Sequence, residues 1–293
     1  MMATGLMIWR WVNMHNPYKI EGPALISFSG GRTSGFMLHN ILQAYSGKLP
    51  ENVYVVFANT GKEAPETLDF VNDISSKWDV KIHWLELRIN KERPIYSSCG
   101  VTYETASRNG EPFEALLNHR KYLPNPVTRF CTTELKIMPM KRFMNFNGYK
   151  EWFNVIGLRY DEPRRVASSK NRKQKWTTMT PMYDAKHTVN DVSDFWKKQN
   201  FDLNLTNFNG KTPAGNCDLC FLKGMDTTLS ILKERPDMAD WWIEQEQKFG
   251  DNQQATFRKD RPSYINLVDI TKNQPEQLSM FNDDDQMTCF CHD

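Results

Sequence analysis

"SFSGGRTSGF", residues 27–36, sets two adjacent glycines between serines, directly after Ala24, Leu25 and Ile26. Upstream, Ala24–Phe28 reads as a buried strand. Downstream, Met37, Ile41 and Ala44 recur at i, i+4 and i+7 beside Leu38 and Leu42, as the apolar face of a helix does. Strand, glycine turn and helix in succession make an anion cradle. Glycines accept φ > 0, backbone N–H groups converge on one point, and the helix adds the positive end of its dipole. Ser29 and Ser34 supply hydroxyls. The G-K-[ST] ending of a Walker loop is missing, so this is not a P-loop.

Outward from the turn, "NVYVVFANTG" (52–61) predicts a second strand and "PETLDFVNDISSKW" (65–78) a helix opened by proline. "VKIHWLEL" (80–87) predicts a third strand. This alternation predicts an α/β protein with a Rossmann-like parallel sheet flanked by helices, whose ligands sit at the carboxyl ends of the strands. Both the Gly-Gly turn and "ANTG" lie there. A further strand is expected over Trp152–Ile156, two short helices within 104–130, and helical pieces from about residue 190 ("VSDFWKKQ", "TTLSILKERPDMADWWIEQEQ"). The expected organisation is an adenine-nucleotide-binding α/β domain over 20–225, followed by a helical segment and tail over 226–293 ending "NDDDQMTCFCHD". No internal repeat is visible.

The 293 residues are 40% hydrophobic and 12% aromatic, enough for a well-buried core. A net charge of +2 gives no global argument for nucleic acid or membrane. The basic feature is local: "RRVASSKNRKQK" (164–175) has no acid. No run approaches the roughly 18 apolar residues of a membrane span, and the opening "MMATGLMIWRWVNMHN" is too short and interrupted for a signal peptide. The expectation is a cytoplasmic protein with no membrane partner. Thiols stay reduced there, so the six cysteines read as ligands or reactive groups rather than disulfides.

Several motifs, in order, resemble the phosphoadenosine phosphosulfate (PAPS) reductase family of the adenine-nucleotide α-hydrolase-like fold, most of all its phage-type members. "SFSGGRTS" resembles the family's S-G-G-x-x-S loop. "FANTGKEAPET" (57–67) resembles D-T-G-x-x-x-P-E-T, with Asn59 in place of Asp. "CTTELKIMPM" resembles C-x-x-x-x-K-x-x-P through Cys131, Lys136 and Pro139. "GLRYDEPRR" (157–165) resembles G-[IL]-R-x-[DE]-E-x-x-R, and "GNCDLC" (215–220) the cysteine pair of the iron–sulfur branch. The resemblance implies that Ser27, Ser29, Gly30, Gly31, Arg32, Thr33, Ser34, Asn59, Thr60, Gly61, Lys136, Gly157, Arg159, Arg164 and Arg165 surround PAPS, adenosine phosphosulfate (APS) or ATP. ATP pyrophosphatase relatives carry Asp, a magnesium ligand, where this chain has Thr33. A hydroxyl is a poor sole replacement for that carboxylate, which tilts the reading toward a phosphosulfate. Asp161, Glu162 and Glu63 are alternative carboxylates.

Cys217 and Cys220 form C-x-x-C, and two thiolates need further partners to hold a metal. The resemblance implies Cys131 as the third ligand, with Cys289 or Cys291 from the tail completing a 4Fe–4S cluster. Four thiolates alone fit zinc equally. Family reductases also carry a nucleophilic cysteine near the C-terminus, in E-C-G-[IL]-H. Here the ending is "MTCFCHD", and Cys289 and Cys291 are the candidate nucleophiles beside His292. Cys99, His187, Trp196, Trp241 and Trp242 read as structural.

Arg159 is the first candidate for a phosphate or sulfate, since guanidinium pairs such oxyanions bidentately, and Lys136 is the next. The resemblance implies a sulfonucleotide reductase-like enzyme, releasing sulfite with a thiol reductant protein. Two alternatives remain open: ATP-dependent sulfur transfer to a nucleic acid held through 164–175, and a nucleotide-binding protein without catalysis.

Overall fold

A computed structural model describes residues 16–171, 174–208, 210, 212–249 and 256–273. Its centre is a six-stranded sheet in the order β4-β3-β2-β1-β5-β6. The chain enters through β1 (Ala24–Ser27), α1 (Arg32–Ala44), β2 (Val53–Ala58), α2 (Pro65–Lys77) and β3 (Ile82–Ile89). β1 pairs in parallel with β2 (Ala24 opposite Val53), and β2 with β3 (Val55 opposite Ile82). β4 (Tyr96–Val101) then returns antiparallel along β3 at the edge. α3 (Glu111–Arg120), a π-helical turn (Thr132–Ile137) and α4 (Met138–Phe146) lead to β5 (Phe153–Val155), which pairs in parallel with the free side of β1. α5 (Pro163–Lys170) leads to β6 (Thr177–Met179), parallel to β5. α6 (Pro181–Asp184), α7 (Val189–Trp196), α8 (Met225–Glu234), α9 (Ala239–Lys248) and α10 (Tyr264–Asn273) complete the described chain.

The expected α/β architecture with a helical C-terminal part is what the chain forms, with the sheet parallel except for β4. β4 and β6 lie outside the expected strands. "YSSCGV" is a half-exposed edge strand with no apolar run, and β6 has only three residues, so neither carries a period-2 signal. Of the two helices expected within 104–130, one is α3, and the second begins only at Phe130. Its π-helical turn follows from Pro139. A proline lacks the N–H its turn needs and crowds the carbonyl four residues earlier, and the wider turn relieves both. Met138 N–H accordingly donates five residues back, to Thr133 O.

Each face of the sheet is covered. On one, Ile26, Phe28, Val55 and Phe57 pack against Met37, Leu38 and Ile41 of α1, Val71 and Ile74 of α2, and Trp196 of α7. On the other, Leu25, Val56 and Leu85 meet Met144 of α4 and Trp152. A third cluster joins Leu87 and α3 to Cys217–Leu222 and to Leu229, Trp242 and Leu267 of the C-terminal helices. No helix among the described residues is long and apolar enough to cross a membrane.

Candidate functional site

β1 is where the sheet reverses its build direction, with β2 on one side and the later β5 on the other. The chain leaves both strands at their carboxyl ends in divergent directions and opens a crevice between them, the usual ligand position in such sheets. The Gly-Gly turn closes β1 there, and Ile156, Gly157 and Leu158, all buried, close β5.

Gly30 has φ +78°, and a Cβ there would lie 2.7 Å from Thr67 Cγ2 of α2. Both the left-handed conformation and the close approach require glycine. The turn is tied internally: Ser34 Oγ donates to Gly31 O (3.0 Å), lies 2.9 Å from Ser29 Oγ and accepts from Ser29 N (3.3 Å). Arg32 contributes its main chain to the turn, while its side chain turns away. Nε and Nη2 pair with the Asp202 carboxylate (2.7 Å each), and Nη1 donates to Thr212 Oγ1 (2.9 Å). That guanidinium anchors the 202–212 connection to α1 rather than facing the crevice.

Thr33 meets the second loop directly. Arg159 Nη1 donates to Thr33 Oγ1 at 3.2 Å, and the same guanidinium is held by Asp161 (Nε to Oδ1, 3.1 Å) and lies 3.6 Å from Glu162 Oε2. Glu162 also receives Arg159 N (3.0 Å) and the Arg165 guanidinium. Two motifs 126 residues apart in sequence thus share one rim of the crevice. Arg164 is exposed on α5.

The opposite wall comes from the π-helical turn and α4. Thr132, Lys136 and Met140 face Ser27 and Ser29 across the cleft, which continues toward Trp152 and Trp176. Those indoles stack at 5.3 Å between centroids and give the cleft an apolar border. Ser27 Oγ reaches Met140 Sδ at 3.6 Å. Ser169, Gln174 and Lys141 also border the cleft, so α5 and the residues after it lie along its edge. Arg172 and Lys173 of the basic run lie outside the described residues.

At the end of β2, Asn59, Thr60 and Gly61 form a buried turn. Thr60 N and Oγ1 donate to Glu63 Oε2 (2.9 and 2.8 Å), and Glu63 Oε1 pairs with Lys136 Nζ at 3.4 Å. The residue that explains Asn59 escaped the sequence reading. Glu86 of β3, fully buried, accepts from Asn59 Nδ2 (2.7 Å), Ser107 N (2.7 Å) and Ser107 Oγ (2.9 Å). An aspartate at 59 would set a second carboxylate against it, whereas the amide donates. A lone glutamate within "HWLELRI" offers no sequence signal for this role.

Cys217 is brought to the same place. Its backbone bridges Glu63, Asp218 N donates to Lys62 O (2.8 Å), and Cys217 Sγ lies 3.6 Å from Thr60 Oγ1. Beneath, Lys62 Nζ pairs with Asp218 at 3.0 Å, and Trp242 Nε1 donates to the same carboxylate. Burial pushes the Asp218 carboxyl up, against the opposing pull of Lys62. Cys131 and Cys220 pack on the apolar cluster that contains Cys217. Even so, no group of three or more His, Cys, Asp or Glu side chains among the described residues is arranged to hold a metal ion. Cys289 and Cys291, the expected remaining ligands and nucleophiles, lie outside the described residues.

Residues 23–204 match the family model of the phosphoadenosine phosphosulfate reductase domain. The nin region protein ORF290 of Escherichia phage lambda is 30% identical over 207 residues, 68% of this chain, and the chain spans just under two thirds, 66%, of that protein's length. Two solved structures are similar at low identity. One is a PAPS reductase from Candida auris in a phosphate complex (TM-score 0.37, 12% identity, 66% of this chain and 77% of that one). The other is the U34-tRNA thiolase NcsA from Methanococcus maripaludis with its 4Fe–4S cluster (TM-score 0.40, 14% identity, 94% and 80%).

Proposed function

The chain belongs to the phosphoadenosine phosphosulfate reductase domain family, and from that premise we propose that it binds a sulfonucleotide, PAPS or APS, in the β1–β5 crevice and reduces it to sulfite. The observation that carries the reading is the meeting of the Gly-Gly turn with Arg159 through Thr33, at the strand end where Ser27, Ser29 and Lys136 line the cleft. Backbone N–H groups of the turn and the start of α1 face the phosphosulfate. Arg159 stands beside them, able to pair its oxygens and to hold the charge that grows on the departing phosphate. The nucleoside occupies the rest of the cleft, which Trp152 and Trp176 also border.

In this reading a tail thiolate, Cys289 or Cys291, attacks the sulfate sulfur. A sulfur–sulfur bond forms as the bridging sulfur–oxygen bond breaks, and the nucleotide leaves with that oxygen and its electron pair. A dithiol reductant then attacks the cysteine sulfur and releases sulfite. Its second thiol resolves the mixed disulfide, returning the cysteine and leaving the reductant oxidised. No step requires an iron–sulfur cluster.

A second reading, ATP-dependent sulfur transfer to nucleic acid, is favoured by one observation: the basic run beginning at Arg164 borders the cleft through Ser169 and Gln174. Cationic side chains there would meet a phosphate backbone without reading its sequence. Product chromatography separates the two. Anaerobic protein given APS, PAPS or ATP with a thiol reductant is expected to yield AMP or adenosine 3′,5′-bisphosphate together with sulfite. Conversion of ATP alone, to AMP and pyrophosphate, would overturn reduction and favour transfer. Turnover of none of the three would leave nucleotide binding without catalysis.

A further inference from the structure

Asn216, immediately before the C-x-x-C pair, has φ +57°, a left-handed conformation that asparagine tolerates better than most residues. The chain around it is pinned. Gly215 N donates to Thr212 O (3.0 Å), Lys223 Nζ to Gly215 O (2.7 Å) and Asp218 N to Lys62 O (2.8 Å), while Cys217 bridges Glu63. Held in this way, Asn216 is among the residues that line the cleft, with Ser29, Thr132 and Lys136. Its Oδ1 is buried and has no hydrogen-bond partner among the described residues. Buried polar atoms are nearly always paired, so an unpaired acceptor on the wall of a binding cleft calls for a donor from the ligand.

The acceptor also specifies what kind of donor. An amide oxygen repels phosphate and sulfate oxygens, and the cations nearby already serve those. It matches a neutral O–H or N–H on the nucleoside: a ribose hydroxyl or the exocyclic amine of the base. We propose that Asn216 is a specificity-determining contact of this site, accepting a hydrogen bond from such a group and linking the nucleoside to the C-x-x-C loop. The proposal rests on the nucleotide reading of the cleft.

Asn216→Gly tests it, because glycine adopts the same φ without strain and removes only the side chain. Its melting temperature should match or exceed that of the wild type, which serves as the folding control. Calorimetric titration would use ATP, 2′-deoxy-ATP, 3′-deoxy-ATP and ITP. The wild type is expected to bind one analogue about tenfold more weakly than ATP, as befits a lost hydrogen bond, and that analogue identifies the donor. Asn216→Gly is expected to bind ATP about tenfold more weakly and to lose the discrimination. Unchanged ATP affinity in the variant, unchanged discrimination, or equal binding of all four probes by the wild type would each overturn the proposal. Should PAPS bind and ATP not, equal PAPS affinity of wild type and variant would overturn it. A wild type that binds neither ATP nor PAPS overturns the nucleotide reading itself, and this proposal with it.

Discussion

Thr33 occupies the position where an aspartate would serve a metal-dependent loop, and its hydroxyl is instead the acceptor for Arg159. A carboxylate there would add a third to Asp161 and Glu162, which already lie against this guanidinium. Asn59 follows the same logic with opposite sign, its amide donating to buried Glu86 where an aspartate would repel it. Asn59→Asp should therefore destabilise the protein by about 1–3 kcal/mol at neutral pH, the cost of a lost buried hydrogen bond and an unpaired charge. One of the two carboxyls would then keep a proton in the fold that it loses on unfolding. The deficit should thus shrink as the pH is lowered into the carboxylate range, and denaturant titrations of both proteins at several pH values would show it. An equal deficit at every pH would contradict the pairing. Such pairings were invisible in the sequence. The motifs identified Thr33, Asn59 and Arg159 as candidates, while Glu86 lies 27 residues from its partner on a separate strand. Likewise, nothing in "SGGRTS" says that Arg32 alone turns its side chain away to Asp202.

Among the elements, α7 supports the Gly-Gly turn and the start of α1. Trp196 Nε1 donates to Arg32 O at 2.8 Å, and its ring packs so tightly that a Cβ on Gly35 would come within 2.7 Å of it. α7 is in turn capped by Asp191, whose carboxylate accepts from Thr188 N and Oγ1 at 2.7 Å each. Those bonds, the backbone one foremost, hold the Asp191 carboxyl below its usual range. A depressed carboxylate stabilises the fold above its ordinary pKa, about 4, and loses that contribution as the pH falls through the depressed value. Asp191→Asn should accordingly cost roughly 0.5–1 kcal/mol near pH 6, in keeping with an exposed helix cap. The difference from wild type should shrink at a pH below the depressed value of the Asp191 carboxyl. A gap of the same size at both pH values would show that the carboxylate is not the source. The elements that the sequence located are β1, β2, β3, β5, α1, α2, α7, α8 and α9. It missed β4 and β6 because both are edge strands that bury too little to leave a pattern, and missed the π-helical turn because Pro139 reveals it only once the helix around it is known.

For the molecule as a whole, strand order turns scattered motifs into one site. β1 lies between β2 and β5, so the loops that end these strands, far apart in the chain, open on a common crevice. The π-helical turn brings Lys136 to it, Asn216 before the C-x-x-C pair lines it, and Cys217 lies beside Thr60. The motif order foretold an α/β fold that carries its motifs at the strand ends. It did not foretell that Cys217 would sit against a threonine hydroxyl, since that contact depends on tertiary placement. The central claim is that Arg159 and the Gly-Gly turn together hold the anionic end of an adenine nucleotide. Its most direct test is calorimetric titration of PAPS into the wild type and Arg159→Ala, with the far-ultraviolet spectrum and melting temperature as controls. Binding by the wild type, weakened at least about tenfold in a folded Arg159→Ala protein, is the predicted result, in line with the loss of a charge-assisted bidentate contact. Equal affinity in the two proteins would contradict it.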